Sequence, residues 1–329
     1  MDHQFPEAAR AAVNQASISR LDLSSTGNPD GWPVPPLPAS AWHRLPAGDD
    51  VLEAAAAEYY GNANLLPVAG TLAATRLLPL LLPRAVVACI GPLASPHVEA
   101  WTQTGHRPRL LQNSTLPRAL AAATPYVLFA NPNDPTADRH PYAVAVDAAQ
   151  QLKKRGGWLI VDESLIDATP EESLTPLAGS AEAPNLIVLR SLDHFFGLAG
   201  ARVGFVCAAP ELLERMAAAM GPWTVAGPSR AAARLALLDA DWQAAMRVRL
   251  LAAGLRLHQL LAPFGEVKAT ALFAALSTPQ AAELQAHLAR HDILVCHFEQ
   301  GSLLRFGLPG NETGWQHLAA ALAAWKPAT

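Results

Sequence analysis

The sequence predicts an α/β fold, with a mostly parallel seven-stranded sheet in a large domain and a small α+β domain after it. Three observations carry this expectation. Seven short apolar runs alternate with amphipathic segments of helix length: Leu65–Val68, Ala85–Ile90, Arg109–Leu111, Tyr126–Ala130, Trp158–Val161, Asn185–Leu189 and Val203–Ala208. Strands that are apolar at successive positions are covered on both faces, as in parallel sheets flanked by helices. After Pro222-Trp223 the pattern changes to longer helices and a few short strands. Finally, 51% of the 329 residues are hydrophobic and only 16% are charged. That is enough for a sizeable core and excludes a disordered polyelectrolyte.

Taken in order, Pro6–Gln15 predicts a short helix and Ile18–Leu23 an apolar segment. Asn28-Pro29-Asp30-Gly31 predicts a turn, and the proline-rich Trp32–Pro38 an extended arm. Asp49-Asp50 caps a helix that runs to Tyr60 and stops at Gly61. Between the seven strands, helices are expected at Leu72–Leu82, Pro96–Thr104, Tyr142–Arg155 and Pro210–Ala219. Beyond them come one long helix over Pro228–Leu261, a strand Val267–Leu276, a helix Pro279–His291, strands Ile293–His297 and Leu303–Phe306, and a last helix Glu312–Trp325. The boundary falls near Ala226, giving a large domain over 31–225 and a small domain made of 1–30 and 226–329.

Several function classes are excluded. A net charge of -4 argues against a nucleic-acid binder that neutralises phosphates. Cys89, Cys207 and Cys296 lie far apart, without metal-type spacing, which fits free thiols in a reducing, cytoplasmic compartment. No metal site is expected. The N-terminal MDHQFPEAARAAV has no basic region followed by an apolar run, so no signal peptide is expected. Leu65–Ala94 is interrupted by Arg76, Arg84 and several prolines and is not a membrane span. No nucleophile-elbow pattern suggests a serine hydrolase.

Residues that could carry chemistry cluster after strands, where ligands of α/β sheets bind. Asp162-Glu163 ends one strand. Ser191 to Gly204 follows another, and its glycines, Ser191 and Arg202 suggest an anion site. Gly70-Thr71 opens a helix whose N-terminus can take a phosphate, although taken alone the motif is more simply a plain helix cap. Asn131-Pro132-Asn133-Asp134-Pro135-Thr136 forms a stiff loop. Arg305 lies among apolar residues, so its guanidinium calls for an anion, either an internal carboxylate or a ligand's.

In this order and spacing the segments resemble the fold-type-I pyridoxal-phosphate (PLP) family of aminotransferase-like enzymes. Within it they look most like the threonine-phosphate decarboxylases of cobalamin biosynthesis. The similarity runs from Leu21 to Trp325 through Leu21–Pro29, Trp42–Asp50, Leu65–Ala74, Asn131–Thr136, Leu159–Ser164, Arg190–Gly204 and Leu303–Gly310, with Arg190–Gly204 the most specific block. The resemblance implies the PLP-dependent transferase-like fold, a homodimer and a small amino acid phosphate as substrate. It also implies roles: Asp162 for the pyridine nitrogen, Gly70, Thr71, Ser191 and Arg202 for the cofactor phosphate, Arg305 for the substrate carboxylate, and Asn28 on an arm over the substrate.

The departures from this pattern matter most. The family's Schiff-base lysine falls at His194, and imidazole cannot form that linkage. Only four lysines exist, Lys153, Lys154, Lys268 and Lys326, and none stands where it could substitute. The aromatic residue that stacks on the pyridine ring falls at Ala94, and the asparagine that donates to the cofactor's phenolic oxygen falls at Asp134. An arginine common in the last domain falls at Cys296, a His-Gly-Gly start is reduced to His3, and Leu45 stands where many relatives place tyrosine, a leucine that close relatives share. Such joint losses point to a weak or non-catalytic homologue, with PLP held non-covalently if it binds. The alternative is an active enzyme without the lysine, in which His194 serves as acid/base with PLP or pyridoxamine phosphate.

Overall fold

The computed structural model describes residues 20–46, 48, 50–93, 95–111, 116–299 and 302–326. The expected helix Pro6–Gln15, His3, Asp49 and Ala94 lie outside them.

A short strand, β1 (Leu21–Asp22), precedes the central sheet. The sheet comprises β2 (Leu65–Val68), β3 (Val86–Ile90), β4 (Arg107–Leu111), β5 (Tyr126–Ala130), β6 (Trp158–Asp162), β7 (Leu186–Ser191) and β8 (Gly204–Cys207), in the order β2-β8-β7-β6-β5-β3-β4. Only β8 runs against its neighbours. Side chains alternate across the sheet: Val87, Cys89, Leu128, Ile160, Ile187 and Val206 pack on one face, while Ala88, Val127, Phe129, Leu159, Val161 and Val188 pack on the other. This two-sided burial explains the unbroken apolar runs. Each such aliphatic side chain contributes about 1.5–3 kcal/mol of transfer free energy. Helices α1 (Ser40–His43), α2 (Leu52–Tyr60), α3 (Thr71–Leu81), α4 (Ser95–Gln103), α5 (Leu116–Ala121), α6 (Tyr142–Lys153) and α7 (Pro210–Met220) complete this part of the chain.

Three elements in the C-terminal part differ from the expectation. The single helix over Pro228–Leu261 is two helices, α8 (Gly227–Leu238) and α9 (Ala240–Leu261). Asp239 separates them because its side chain caps α9 through the Trp242 amide and also accepts the Trp32 indole N–H at 2.9 Å. The strand over Val267–Leu276 is a hairpin of β9 (Glu266–Ala269) and β10 (Phe273–Ser277). Thr270 turns it, with its hydroxyl accepting the Leu272 and Phe273 amides. After α10 (Ala281–Arg290), the expected Ile293–His297 strand is split. β11 (Ile293–Leu294) pairs with β1, while β12 (Cys296–Phe298) joins β13 (Leu303–Gly307) in the sheet β12-β13-β10-β9. Helix α11 (Glu312–Ala323) ends the described fold. Helices α1 and α5 have no counterpart in the expected elements.

Candidate active site

The carboxyl edge of the central sheet gathers most of the expected residues. Val68 and Ser191 both pair with Gly204, so the start of α3 and the end of β7 lie side by side. A Cβ at Gly204 would stand 2.9 Å from the Thr71 amide nitrogen, and one at Gly70 would stand 2.3 Å from Arg202 Nη2. Gly70 also has φ 76°, where a side chain is strained. The head of α3, Ser191, whose Oγ accepts the Asp193 N–H at 3.0 Å, and the Arg202 guanidinium thus adjoin one another around Gly70 and Gly204 as a small cup. Its donors and helix N-terminus suit an anion. Arg202 Nη1 donates to Asp193 Oδ2 at 3.1 Å, so an acid is already beside it.

Asp162 stands at the end of β6 on the same edge. A carboxylate only accepts, so His97 Nε2 donates to its Oδ2, at 2.9 Å, while the Ser164 amide and hydroxyl donate to Oδ1. Burial pushes this carboxyl up, yet His97 and the Ser164 hydrogen bonds outweigh it, and Asp162 lies below the usual aspartate value. His97, on α4, escaped the sequence reading. The contact joins positions far apart in the chain, and a lone histidine carries no spacing signal.

The arm is zipped onto the turn that holds His194. Asn28 N donates to the His194 carbonyl at 2.8 Å, Asn28 Nδ2 to the Phe195 carbonyl at 2.9 Å, and Trp32 N to the Phe196 carbonyl at 2.7 Å. The Asn28 amide is therefore engaged with main chain, its Oδ1 taking the Asp30 N–H. His194 Nδ1 lies 3.2 Å from the hydroxyl of Thr26 on the same arm. Arg305 reaches that arm too, donating to the Ser24 carbonyl at 2.6 Å, and it contacts Cys296 Sγ at 3.3 Å. Its main partner is Asp134, which pairs with it through both oxygens. Of the two sources considered for Arg305's anion, the internal carboxylate is the one in place.

Beneath the cup lies a second cluster that sequence reading did not find. Arg190, just before Ser191, donates to Asp167 at 2.6 Å and to Glu163, Ser173 and Thr175, all buried. Burial pushes Glu163 above the usual glutamate value, despite Arg190 and the hydrogen bonds from Ser173, Leu174 and Thr175. Since Glu163 follows Asp162, this knot ties the ends of β6 and β7 together. Among the described residues no group of three metal-ligating side chains is placed to hold an ion, and no helix is long and apolar enough to cross a membrane.

The profile of the family described as aminotransferase class I and II matches residues 41–322. The chain belongs to that family. It is 44% identical over 308 residues to a threonine-phosphate decarboxylase of Pseudomonas aeruginosa, covering 93% of this chain and 92% of the relative. It is 37% identical over 311 residues to one from Sinorhizobium, covering 92% and 91%. Its fold superposes with TM-score 0.81 on a histidinol-phosphate aminotransferase from Sinorhizobium meliloti in complex with pyridoxal-5'-phosphate, at 22% identity, covering 98% of this chain and 94% of the other. The expected α/β class and the resemblance to this family are both borne out.

Proposed function

We propose that this aminotransferase-family chain is a threonine-phosphate-decarboxylase-like protein that keeps the anion-binding and ring-nitrogen parts of a PLP cleft and has lost the covalent part. The carrying observation is that no lysine stands at the Schiff-base position. Position 194 holds imidazole, and all four lysines stand elsewhere. Lys153 donates to the carbonyls of Ala181 and Glu182, Lys268 pairs with Asp138, and Lys154 and Lys326 are exposed.

The residues fit PLP at two points and fail it at a third. Gly70, Thr71, Ser191 and Arg202 suit its phosphate, and an ionised Asp162, oriented by His97, suits a protonated ring nitrogen. Nothing suits the aldehyde carbon. Asp134, which the resemblance gives to the phenolic oxygen, is an acceptor turned to Arg305. The substrate class this reading favours is a small amino acid carrying a phosphate, and the setting is cytoplasmic. We also infer a homodimer, because Trp42, Leu45 and Trp223 are exposed by 67%, 65% and 57%. Large apolar side chains left in water suit an interface where they form a contiguous patch. Sedimentation should show a species of twice the chain mass, and Trp42→Glu should shift it toward monomer.

The direct test is threonine phosphate decarboxylation with added PLP, comparing wild type with His194→Lys. The expected result is wild-type turnover no greater than that of free PLP, with activity gained in the variant. Wild-type turnover well above free PLP would overturn the reading and leave His194 as the acid/base group.

A further inference from the structure

The cleft holds two guanidinium groups that the family's chemistry would give to ligand anions, and this chain supplies a carboxylate to each. Asp193 Oδ2 lies 3.1 Å from Arg202 Nη1, and Asp134 takes Arg305 through both oxygens. The Arg202 guanidinium lies against Gly70, so one group faces both the acid and the cup. Arg202 is itself held in the left-handed region at φ 53°, which fixes where its side chain starts. Each pair also leaves a buried polar atom without a partner, Asp193 Oδ1 in one and Arg305 Nε in the other. Each pair therefore leaves one buried polar atom unsatisfied, although the Arg202 guanidinium itself is about half exposed.

We propose that Asp193 and Asp134 are built-in anions that occupy the two ligand arginines, so that a phosphate reaches Arg202 only by displacing Asp193. This rests on the phosphate-cup reading above. A carboxylate that remains beside the cup repels a phosphate dianion, and the acid first has to be parted from its cation. The two pairs lie on separate elements, Asp193–Arg202 within the turn after β7 and Asp134–Arg305 between the Asn131–Thr136 loop and β13, so they should respond independently. Asp193 thus weakens every phosphate-bearing ligand of the cleft relative to a cleft without that carboxylate, and it penalises a phosphate-free ring compound much less.

The test is equilibrium titration of the full-length protein with inorganic phosphate, PLP and pyridoxal, followed by calorimetry. Asp193→Asn should tighten inorganic phosphate and PLP by about tenfold, as expected for removing one unit charge at this range. It should leave pyridoxal unchanged. Adding Arg202→Gln to that variant should abolish the gain. Asp134→Asn should leave inorganic phosphate unchanged and tighten L-threonine phosphate. Asp193→Ser, with melting curves on every variant, guards against a folding defect in Asp193→Asn. Equal phosphate affinity in wild type and both Asp193 variants overturns the proposal, as does an equal gain for pyridoxal. The outcome is separable from that of the functional reading. A catalytically active wild type whose Asp193→Asn variant gains phosphate affinity refutes only the loss of chemistry, while an inactive wild type with no such gain refutes only the built-in anions.

Discussion

Arg190 and Arg202 flank one strand-end and turn, and both meet carboxylates, yet they do opposite work. Arg190 is fully buried beneath the cup, held by Asp167, Glu163, Ser173 and Thr175, and stacked 4.5 Å from the Tyr60 ring. Arg202 is about half exposed and has Asp193 as its acidic partner. A buried pair is strongly coupled to the fold, because removing one member leaves an uncompensated charge in the interior. An exposed pair stabilises by less than about 1 kcal/mol and can be exchanged for another anion. The lower cluster therefore ties together the strand ends that carry Asp162 and Ser191, and the upper one is the pair we propose a phosphate has to part.

The comparison breaks most readily at Arg190. Arg190→Ala should lower the unfolding free energy by about 3–5 kcal/mol in a denaturant titration. A loss as small as that expected for a surface arginine would show that the lower knot is not structural. Gly70→Ala comes next. Its positive φ and the proximity of the Arg202 guanidinium predict a loss of about 1–3 kcal/mol together with weakened phosphate binding. Gly200→Ala, where nothing lies within 4 Å of the added methyl, should change neither.

A pH titration sharpens the contrast further. Asp50 lies below the usual aspartate value chiefly because Arg230 hydrogen-bonds it, and Asp162 lies below it through His97 and Ser164, against burial. Their folded values are depressed, so the stability they contribute is present at neutral pH and lost as pH falls below the usual aspartate value of about 3.8. Glu163 has the opposite sign, and its contribution is lost as pH rises above the usual glutamate value. His97→Ala should therefore raise the pH at which acid unfolding begins. An unchanged acid limb would show that the His97 contact does not hold Asp162 ionised. The smallest expected effect is on the stability of Asp193→Asn, within about 0.5 kcal/mol of wild type by thermal melting.

Much of this was legible in the sequence wherever local patterning decides structure. The inner sheet strands stand out because both faces are covered, whereas the edge strand β4 is largely exposed, and Gly61 ends α2 as its left-handed geometry at φ 67° requires. What escaped depended on distant partners. Asp239 reads as an ordinary helical residue until Trp32 and the α9 amide claim it. Thr270-Ala271-Leu272 reads as strand because its apolar neighbours mask a hydroxyl-stabilised turn. Gly70, Thr71, Ser191, Arg202 and Asp162, singled out from turn and strand-end chemistry, lie on one edge of the sheet. His97 and the Arg190 knot were not singled out, since each joins elements that only the sheet order brings together. Asp193 was within reach of the sequence, because an acid two residues from Ser191 is out of place in an anion-binding turn.

The central claim is that no amine in the cleft can hold PLP covalently. It is tested by incubating the protein with equimolar PLP, reducing with borohydride and measuring the intact mass. Wild type should keep its unmodified mass, while His194→Lys should gain one pyridoxyl phosphate mapped to position 194. A stoichiometric wild-type adduct mapped to a cleft residue, rather than to the exposed Lys154 or Lys326, would contradict the account.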